Sequence, residues 1–208
     1  MKKNNVAYKV KKMYGGSAWV NFFTRVRFIT GSFVQIEGLV PKKGKILDLG
    51  CGYGILSNYL ALSSPQRTII GVDTDKKKIS RANFGIKNVS LNIGDATKMK
   101  LKELDCIILH VVLHHLSSRG EQKKLISDCK SMLAKNGRLL IVEVDKKPFW
   151  KWSLGRIADL VLYKGDPIYY LYRVKMLPLL EKYFPENVRI EKLYNNPFSV
   201  IAYICEKR

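Results

Sequence analysis

Residues 45–54 constrain what this chain can fold into more than any other stretch. They open on a short apolar run, Ile46, Leu47, Asp48 and Leu49, of the kind carried by a strand buried on both faces. They close on three glycines at alternate positions, Gly50, Gly52 and Gly54. The apolar stretch from Ile55 to Leu62 then reads as a helix. Strand, glycine turn and helix make a nucleotide-binding βα unit. Glycine lets the backbone reverse sharply and lets a ligand approach the main chain, and the helix start offers free N–H donors. The spacing is not the Gly-x-Gly-x-x-Gly of dinucleotide folds. It is Asp-x-Gly-x-Gly-x-Gly, with Asp48 two residues ahead of the first glycine. A carboxylate there repels a pyrophosphate and suits a ligand that is cationic where it meets the loop.

With 208 residues, 47% of them hydrophobic, the chain has the material for one well-cored α/β domain. Cys51, Cys106, Cys129 and Cys205 are far apart and form no Cys-x-x-Cys pair, which fits buried or half-buried thiols in a reducing compartment. No apolar run approaches the roughly 20 residues of a spanning helix. The basic start, with Lys2 and Lys3, lacks the apolar centre of a signal peptide. A cytoplasmic protein is expected. Lysine and arginine number 37 against 17 aspartates and glutamates, a formal net charge of +20. That excess favours anionic partners: nucleic acid, an anionic membrane face or acidic metabolites. It fits equally a basic surface that is merely solvated.

Taken in order, residues 1–16 are polar and basic and read as a mobile arm ended by Gly15 and Gly16. Ser17 is placed to cap a helix reaching to about Gly38. Its Trp19, Phe22, Phe23, Val26, Ile29 and Phe33 recur every three or four residues, a broad apolar face either for packing on a sheet or for closing over a bound ligand and its substrate, with Arg25 and Arg27 off its centre. Strands are expected over 68–72, 88–93, 104–109 and 138–144, with helices over 75–85 and 121–133, the second stopped by Asn136 and Gly137. Strict alternation over 45–145 predicts a parallel sheet with helices on both faces and ligands at the carboxyl ends of its strands. Residues 146–184 change character: Phe149, Trp150, Trp152, Tyr163, Tyr169, Tyr170, Tyr172 and Tyr183 lie among lysines and arginines. Leu154, Ile157, Leu160 and Val161 suit an amphipathic helix broken by Gly165, Asp166 and Pro167, with a second helix from Ile168 to Tyr183. Residues 188–193 and 199–205 read as a closing antiparallel pair around a turn at Asn195, Asn196 and Pro197. One domain is expected: a basic segment and helix over 1–40, a ligand-binding core over 45–145, a substrate cover over 146–184 and closing strands over 185–208.

Several strand ends serve one ligand. Asp73 closes the second strand, 19 residues after Gly54, where a carboxylate can accept hydrogen bonds from two ribose hydroxyls. Gly94, Asp95 and Ala96 put another acid at the same edge, and the fourth strand closes in His110, followed by Val111, Val112, Leu113, His114, His115 and Leu116. Together the Asp48 glycine loop, the Gly71-Val72-Asp73 and Gly94-Asp95-Ala96 strand ends and the Leu-His-His-Leu segment resemble the class I S-adenosylmethionine (SAM)-dependent methyltransferases. The resemblance covers roughly residues 45–145. It implies an α/β fold with a seven-stranded, mostly parallel sheet, helices on both faces and an antiparallel C-terminal strand pair, and SAM as cofactor. It further implies that Gly50, Cys51, Gly52 and Gly54 line the methionine part, with Asp48 near its amino group. Asp73 then holds the ribose, Asp95 with Ala96 the adenine end, Thr74 borders the adenine, and His110 sits beside the methyl-donor centre.

A sulfonium is an activated donor, so orienting an in-line nucleophile supplies much of the acceleration. A hydroxyl or acidic-carbon acceptor also needs a base. All three histidines, His110, His114 and His115, lie within six residues and titrate near neutral pH, with Glu143 and Asp145 as second choices. The same segment also reads as a turn packed by habit of the family; no metal site is expected. Several nucleic-acid methylases of this family carry an (Asn/Asp)-Pro-Pro-(Tyr/Phe) tetrapeptide where His110, Val111, Val112 and Leu113 stand here, and no Pro-Cys element for cytosine chemistry is present. The Leu-His-His-Leu segment is similar to the branch acting on small molecules, quinones and lipids. Methyl transfer to a small, apolar or lipid-linked acceptor is therefore expected. The aromatic, basic cover suits an acceptor at an anionic membrane surface. It also suits RNA, by base stacking with phosphate contacts, or a packed lid. An RNA methyltransferase and a non-catalytic SAM-binding regulator are the alternatives.

Overall fold

The computed structural model describes residues 3–162, 169–194 and 196–208. Its centre is one sheet built from β1 (Gly44–Leu49), β2 (Arg67–Asp73), β3 (Val89–Ile93), β4 (Leu104–His110), β5 (Leu133–Val144), β6 (Val188–Lys192) and β7 (Val200–Glu206). The strand order is β3-β2-β1-β4-β5-β7-β6. The first five strands run parallel, and β7 lies antiparallel between β5 and β6, which is the fold class the sequence implied. The order reverses between β1 and β4, so a crevice opens at the carboxyl ends of those strands. Ile46, Leu47 and Leu49 of β1 and Ile107, Ile108 and Leu109 of β4 are fully buried. Strands covered on both faces read as continuous apolar runs for this reason.

One face of the sheet packs against α1 (Lys3–Met13), α2 (Ala18–Thr30), α3 (Phe33–Leu39) and α4 (Ile55–Ser63). The other packs against α6 (Arg119–Met132) and α8 (Arg173–Tyr183). Between these in sequence come the short α5 (Lys76–Ser80) and, after β5, α7 (Phe149–Leu162).

Several expectations are corrected. The first residues are not a mobile arm: Val6, Val10 and Tyr14 recur every four residues, are at most 2% exposed and pack α1 into the core. Lys9 and Lys12 are exposed, and Lys11 lies over the Phe28 ring at 5.0 Å. The single helix expected over 17–38 breaks at Gly31 and Ser32, where Ser32 takes a left-handed φ of 52°. Nor does the apolar stripe of α2 all face the sheet, since Trp19, Phe22 and Ile29 point to solvent while Val20 and Thr24 are buried. Asn136 and Gly137 do not cap α6, which ends at Met132. They lie inside β5, where Asn136 has φ 63° and the pairing register with β4 slips. α5 stops at Ser80 rather than near Gly85, and α8 starts at Arg173 rather than Ile168. Tyr163, Gly165, Asp166, Pro167 and Asn195 lie outside the described residues. The four cysteines are free, and Cys106, Cys129 and Cys205 are buried. Among the described residues no helix is long and apolar enough to cross a membrane.

One buried ion pair ties the α1–α4 layer to the sheet. Arg67, at the start of β2, is fully buried and donates from Nη2 to Glu37 of α3 at 3.1 Å. It also donates to the carbonyls of Pro41 at 2.6 Å, Leu60 at 2.9 Å and Val40 at 3.0 Å. Burial raises the Glu37 carboxyl, but Lys42 and Arg67 together outweigh it and hold the group below the ordinary value. Removing the guanidinium strands a buried carboxylate and several carbonyls. Arg67→Ala is expected to cost about 3–5 kcal/mol in chemical denaturation. A loss below about 1 kcal/mol, the worth of a surface pair, contradicts this account.

Candidate active site

The crevice at β1 and β4 holds a cavity of about 430 Å³, within the usual range for small-molecule sites. Its floor is the glycine loop. The N–H groups of Gly50 and Cys51 both bond to the carbonyl of Val72, at 2.7 and 3.1 Å, which fixes the loop to the end of β2. Gly50 has φ +74°, and a Cβ there would run into Val112. Gly52 has φ +55°, and a Cβ there would meet nothing nearer than 4.0 Å, so the main chain stands open to a ligand. Gly54 sits at the cap of α4 and does not line the cavity. From behind, Tyr14 at the end of α1 donates to the Tyr53 carbonyl at 2.6 Å and accepts from Asn58 Nδ2 at 2.9 Å.

Three carboxylates ring this floor. Asp48 is 1% exposed and accepts from Ser57 Oγ at 2.6 Å. Burial, with the neighbouring charge of Asp73, pushes its carboxyl up to about 6. Asp73 accepts the Gly52 N–H at 2.7 Å and the Asp75 N–H at 2.9 Å, each on a different oxygen, leaving lone pairs for a ligand. Asp95 accepts the hydroxyl and N–H of Thr97 at 2.7 and 2.8 Å, and Thr97 holds it below the ordinary carboxylate value. Asp48, Gly50, Cys51, Gly52, Asp73, Thr74, Asp95, Ala96 and His110 all line the one cavity. The sequence-predicted cofactor residues are thus brought together, Gly54 excepted.

The roof comes from the N-terminal helical segment, which the sequence left between packing on the sheet and closing over the ligand, without naming the residues that do so. Phe23 and Arg27 of α2 and Phe33 of α3 close over the loop. Phe23 lies against Tyr53 with ring centroids 5.3 Å apart, and Arg27 Nη2 stands 3.3 Å from His110 Nδ1. The available signal was the i, i+4 pairing of Phe23 with Arg27, which puts an aromatic ring and a cation on one helix face. Burial, followed by the charge of Arg27, pushes His110 well below the ordinary histidine value. His110 is therefore a neutral imidazole at neutral pH.

The wall facing the roof is the histidine turn. After β4 the chain turns through Val111 at φ 61°, a rare conformation for a β-branched residue, held by a bond from its N–H to the Val142 carbonyl at 2.8 Å. Glu143 of β5, 4% exposed, accepts the Leu113 N–H at 2.9 Å and lies 2.6 Å from His114 Nδ1. Burial raises Glu143, but His114 and the Leu113 amide outweigh it, and the carboxyl sits below its ordinary value. His114 is 1% exposed, with its ring between those of His115 at 4.2 Å and Tyr170 at 5.0 Å. Tyr170 stacks in turn on Tyr172, whose hydroxyl accepts from Trp152 Nε1 at 3.1 Å. His110 and His115 reach the cavity, whereas His114 and Glu143 stand behind it. Asp145 is turned to Arg173 at 3.0 Å and does not line the cavity.

Asp48 gives the site a testable pH dependence. If the cationic end of the ligand meets Asp48, as expected from the sequence, a proton competes with it for that carboxylate. Affinity for SAM is expected to be level above about pH 7 and to fall, by up to about tenfold per pH unit, as Asp48 protonates below about 6. Asp48→Asn should bind more weakly and lose that slope. Calorimetric titration of SAM across this range checks it, and a level profile in the wild type down to about pH 5 contradicts the placement of a cationic group at Asp48.

Comparison with known proteins agrees with this geometry. A family model described as "Methyltransferase domain" matches residues 41–174. A demethylmenaquinone methyltransferase from Thermotoga maritima is 25% identical over 168 residues, covering 75% of this chain and 70% of its own. A ribosomal RNA small subunit methyltransferase C from Hamiltonella defensa is 30% identical over 109 residues, covering 50% of this chain and only 32% of its own. In fold, the chain superposes on a SAM-dependent methyltransferase from Thermotoga maritima with a TM-score of 0.67 at 18% identity, covering 91% of this chain and 97% of the other. With the family model spanning well over half its length, on a seven-stranded sheet whose glycine loop and carboxylates share one cavity, the chain belongs to the class I SAM-dependent methyltransferases.

Proposed function

We propose that this methyltransferase acts on a small apolar or lipid-linked acceptor whose proton is taken by the histidine turn. The observation that carries the reading is the wall that the histidine turn forms beside the glycine loop. It is built from His110, Val112, His115 and Leu116, backed by His114 and the stacked Tyr170 and Tyr172. Val112 and Leu116 put apolar surface beside the two imidazoles, one of which serves as the proton acceptor. The match to a demethylmenaquinone methyltransferase over three quarters of the chain supports it.

The residues fit the cofactor. Gly52 leaves its backbone open, Asp48 offers a buried negative charge to an amino group, and Arg27 on the roof complements a carboxylate. Asp73 keeps lone pairs for two ribose hydroxyls, and Thr74, Asp95 and Ala96 border the adenine end. When bound, SAM supplies an activated methyl group on a sulfonium. The chain orients the acceptor, excludes water beneath the α2 roof and removes a proton. His115 is the base that reaches the cavity. Glu143 acts through its neighbours: it holds His114 and Leu113 in place, and its charge favours the imidazolium form of His115.

Asp73→Ala is expected to weaken SAM binding by at least about tenfold in calorimetry, because a charge-assisted pair of hydrogen bonds is lost. Unchanged affinity removes the ribose assignment.

The acceptor is tested by incubating the protein with tritiated SAM and separate lipid and RNA extracts, including a prenylated hydroquinone. Label is expected in the lipid fraction. His115→Ala should lower turnover by about 100-fold or more at unchanged SAM affinity. Label in RNA alone favours the RNA reading, which the ribosomal RNA methyltransferase match supports. SAM binding with no transfer to any fraction favours a regulator.

A further inference from the structure

α2 turns one face into the site, α7 turns one face onto the tyrosines behind it, and each leaves another face bare. On α2, Phe23 and Arg27 line the cavity, while Trp19, Phe22 and Ile29 are 57%, 60% and 63% exposed and form an outward stripe with half-buried Val26. On α7, Trp152 reaches inward to Tyr172, and through Tyr170 to His114. Trp150, Leu154 and Ile157, at steps of four and three, are 61%, 44% and 58% exposed, and Phe149 extends their stripe. The turn before β7 braces the two helices together. Asn196 Nδ2 donates to the carbonyl of Thr30 at the end of α2, at 2.5 Å, and Lys151 of α7 donates to the Asn196 carbonyl at 2.7 Å. Two bare helical stripes beside one catalytic cavity exceed the scattered exposure of an ordinary surface and call for a partner.

Charge identifies that partner. Residues 1–36 contain seven lysines and arginines and no aspartate or glutamate. Residues 146–158 carry Lys146, Lys147, Lys151 and Arg156 and no acid; Lys151 lies over the exposed Trp150 ring, while Lys146 and Arg156 lie over the inward Trp152. A second copy of the chain would set +20 against +20. Ile29, Leu154 and Ile157 give the stripes aliphatic surface that a hydrocarbon interface takes up and base stacking does not use, while Trp19, Phe22, Phe149 and Trp150 suit either partner. We infer that this face docks on an anionic phospholipid bilayer. The stripes of α2 and α7 enter the interface, and the basic residues meet the headgroups. The histidine wall is then held beside the membrane, where a lipid-linked acceptor arrives. That delivery rests on the acceptor class proposed above, whereas the docking itself does not.

The test is flotation of the full chain, saturated with SAM, on phosphatidylcholine vesicles with and without phosphatidylglycerol. Binding is expected on the anionic vesicles, reversed by salt and accompanied by a blue shift of tryptophan emission. Trp150→Glu, Leu154→Glu and Phe22→Glu should each lower partition by about tenfold or more. All three residues are exposed, and unchanged SAM affinity in the variants verifies their fold. Absence of flotation, equal flotation of wild type and variants, or tight tRNA binding without flotation overturns the inference. Flotation without label in any lipid supports the docking while removing the acceptor class. Labelled lipid without flotation removes the docking alone.

Discussion

A carboxylate only 4% exposed organises the reactive half of this protein. Glu143 sits inside the sheet, where an ionised group persists only if its oxygens are engaged. Both are: one takes the Leu113 N–H and the other faces His114 Nδ1. These two contacts, with the bond from Val111 to Val142, hold the chain in the unfavourable left-handed turn that follows β4. The consequences spread outward. Val112 is pressed over Gly50, so the loop accepts only glycine there, and His115 is left on the cavity wall with His114 as its support. Tyr170 stacks on that support, and the Tyr169 N–H bonds the His114 carbonyl at 2.8 Å, so the cover after α7 is registered on the same point.

The N-terminal helices perform the matching task for the cofactor half. Tyr14 anchors α1 to the Tyr53 carbonyl behind the glycine loop, and Phe23 rests on the Tyr53 ring in front of it. The loop is therefore gripped from behind by the end of a stretch whose composition is that of a solvated arm, and from in front by α2. α2 belongs to two environments at once. Its inner residues finish the cavity, and its outer residues leave apolar surface uncovered, so any event at the outer face bears on the helix that roofs the site.

How much of this was legible in the sequence depended on whether the determining interaction was local. The strands, the glycine loop and the acids at the strand ends were, because period, turn chemistry and spacing are properties of short windows. The early lysines misled, because two valines and a tyrosine at four-residue steps, flanked by Ala7 and Met13, suffice to bury a helix that is otherwise largely polar. Trp19, Phe22 and Ile29 misled in the other direction: periodicity reveals that a helix has an apolar stripe, not which body covers it. The break at Ser32 and the slip at Asn136 are settled by tertiary packing, which overrides the helix that propensity alone would continue. Arg27, Glu143 and Tyr170 come from α2, β5 and the segment before α8, and meet the histidine turn only when the chain is folded. His114 and His115 are adjacent in sequence and equal as candidates. Only the structure separates the one on the wall from the one behind it.

The charge of the protein follows from none of this. SAM carries a sulfonium, an ammonium and one carboxylate, so a +20 chain repels it at long range. Binding is rescued locally. Asp48, Asp73 and Asp95 are gathered at adjoining strand ends around one cavity, an acidic island in a basic surface. The 37 lysines and arginines lie overwhelmingly outside that island, and the acid-free runs at 1–36 and 146–158 include the two helices with bare apolar stripes. The proposed docking uses this coincidence of positive charge with uncovered apolar residues: it calls for a partner both anionic and able to take up hydrocarbon, two properties that an anionic lipid surface combines.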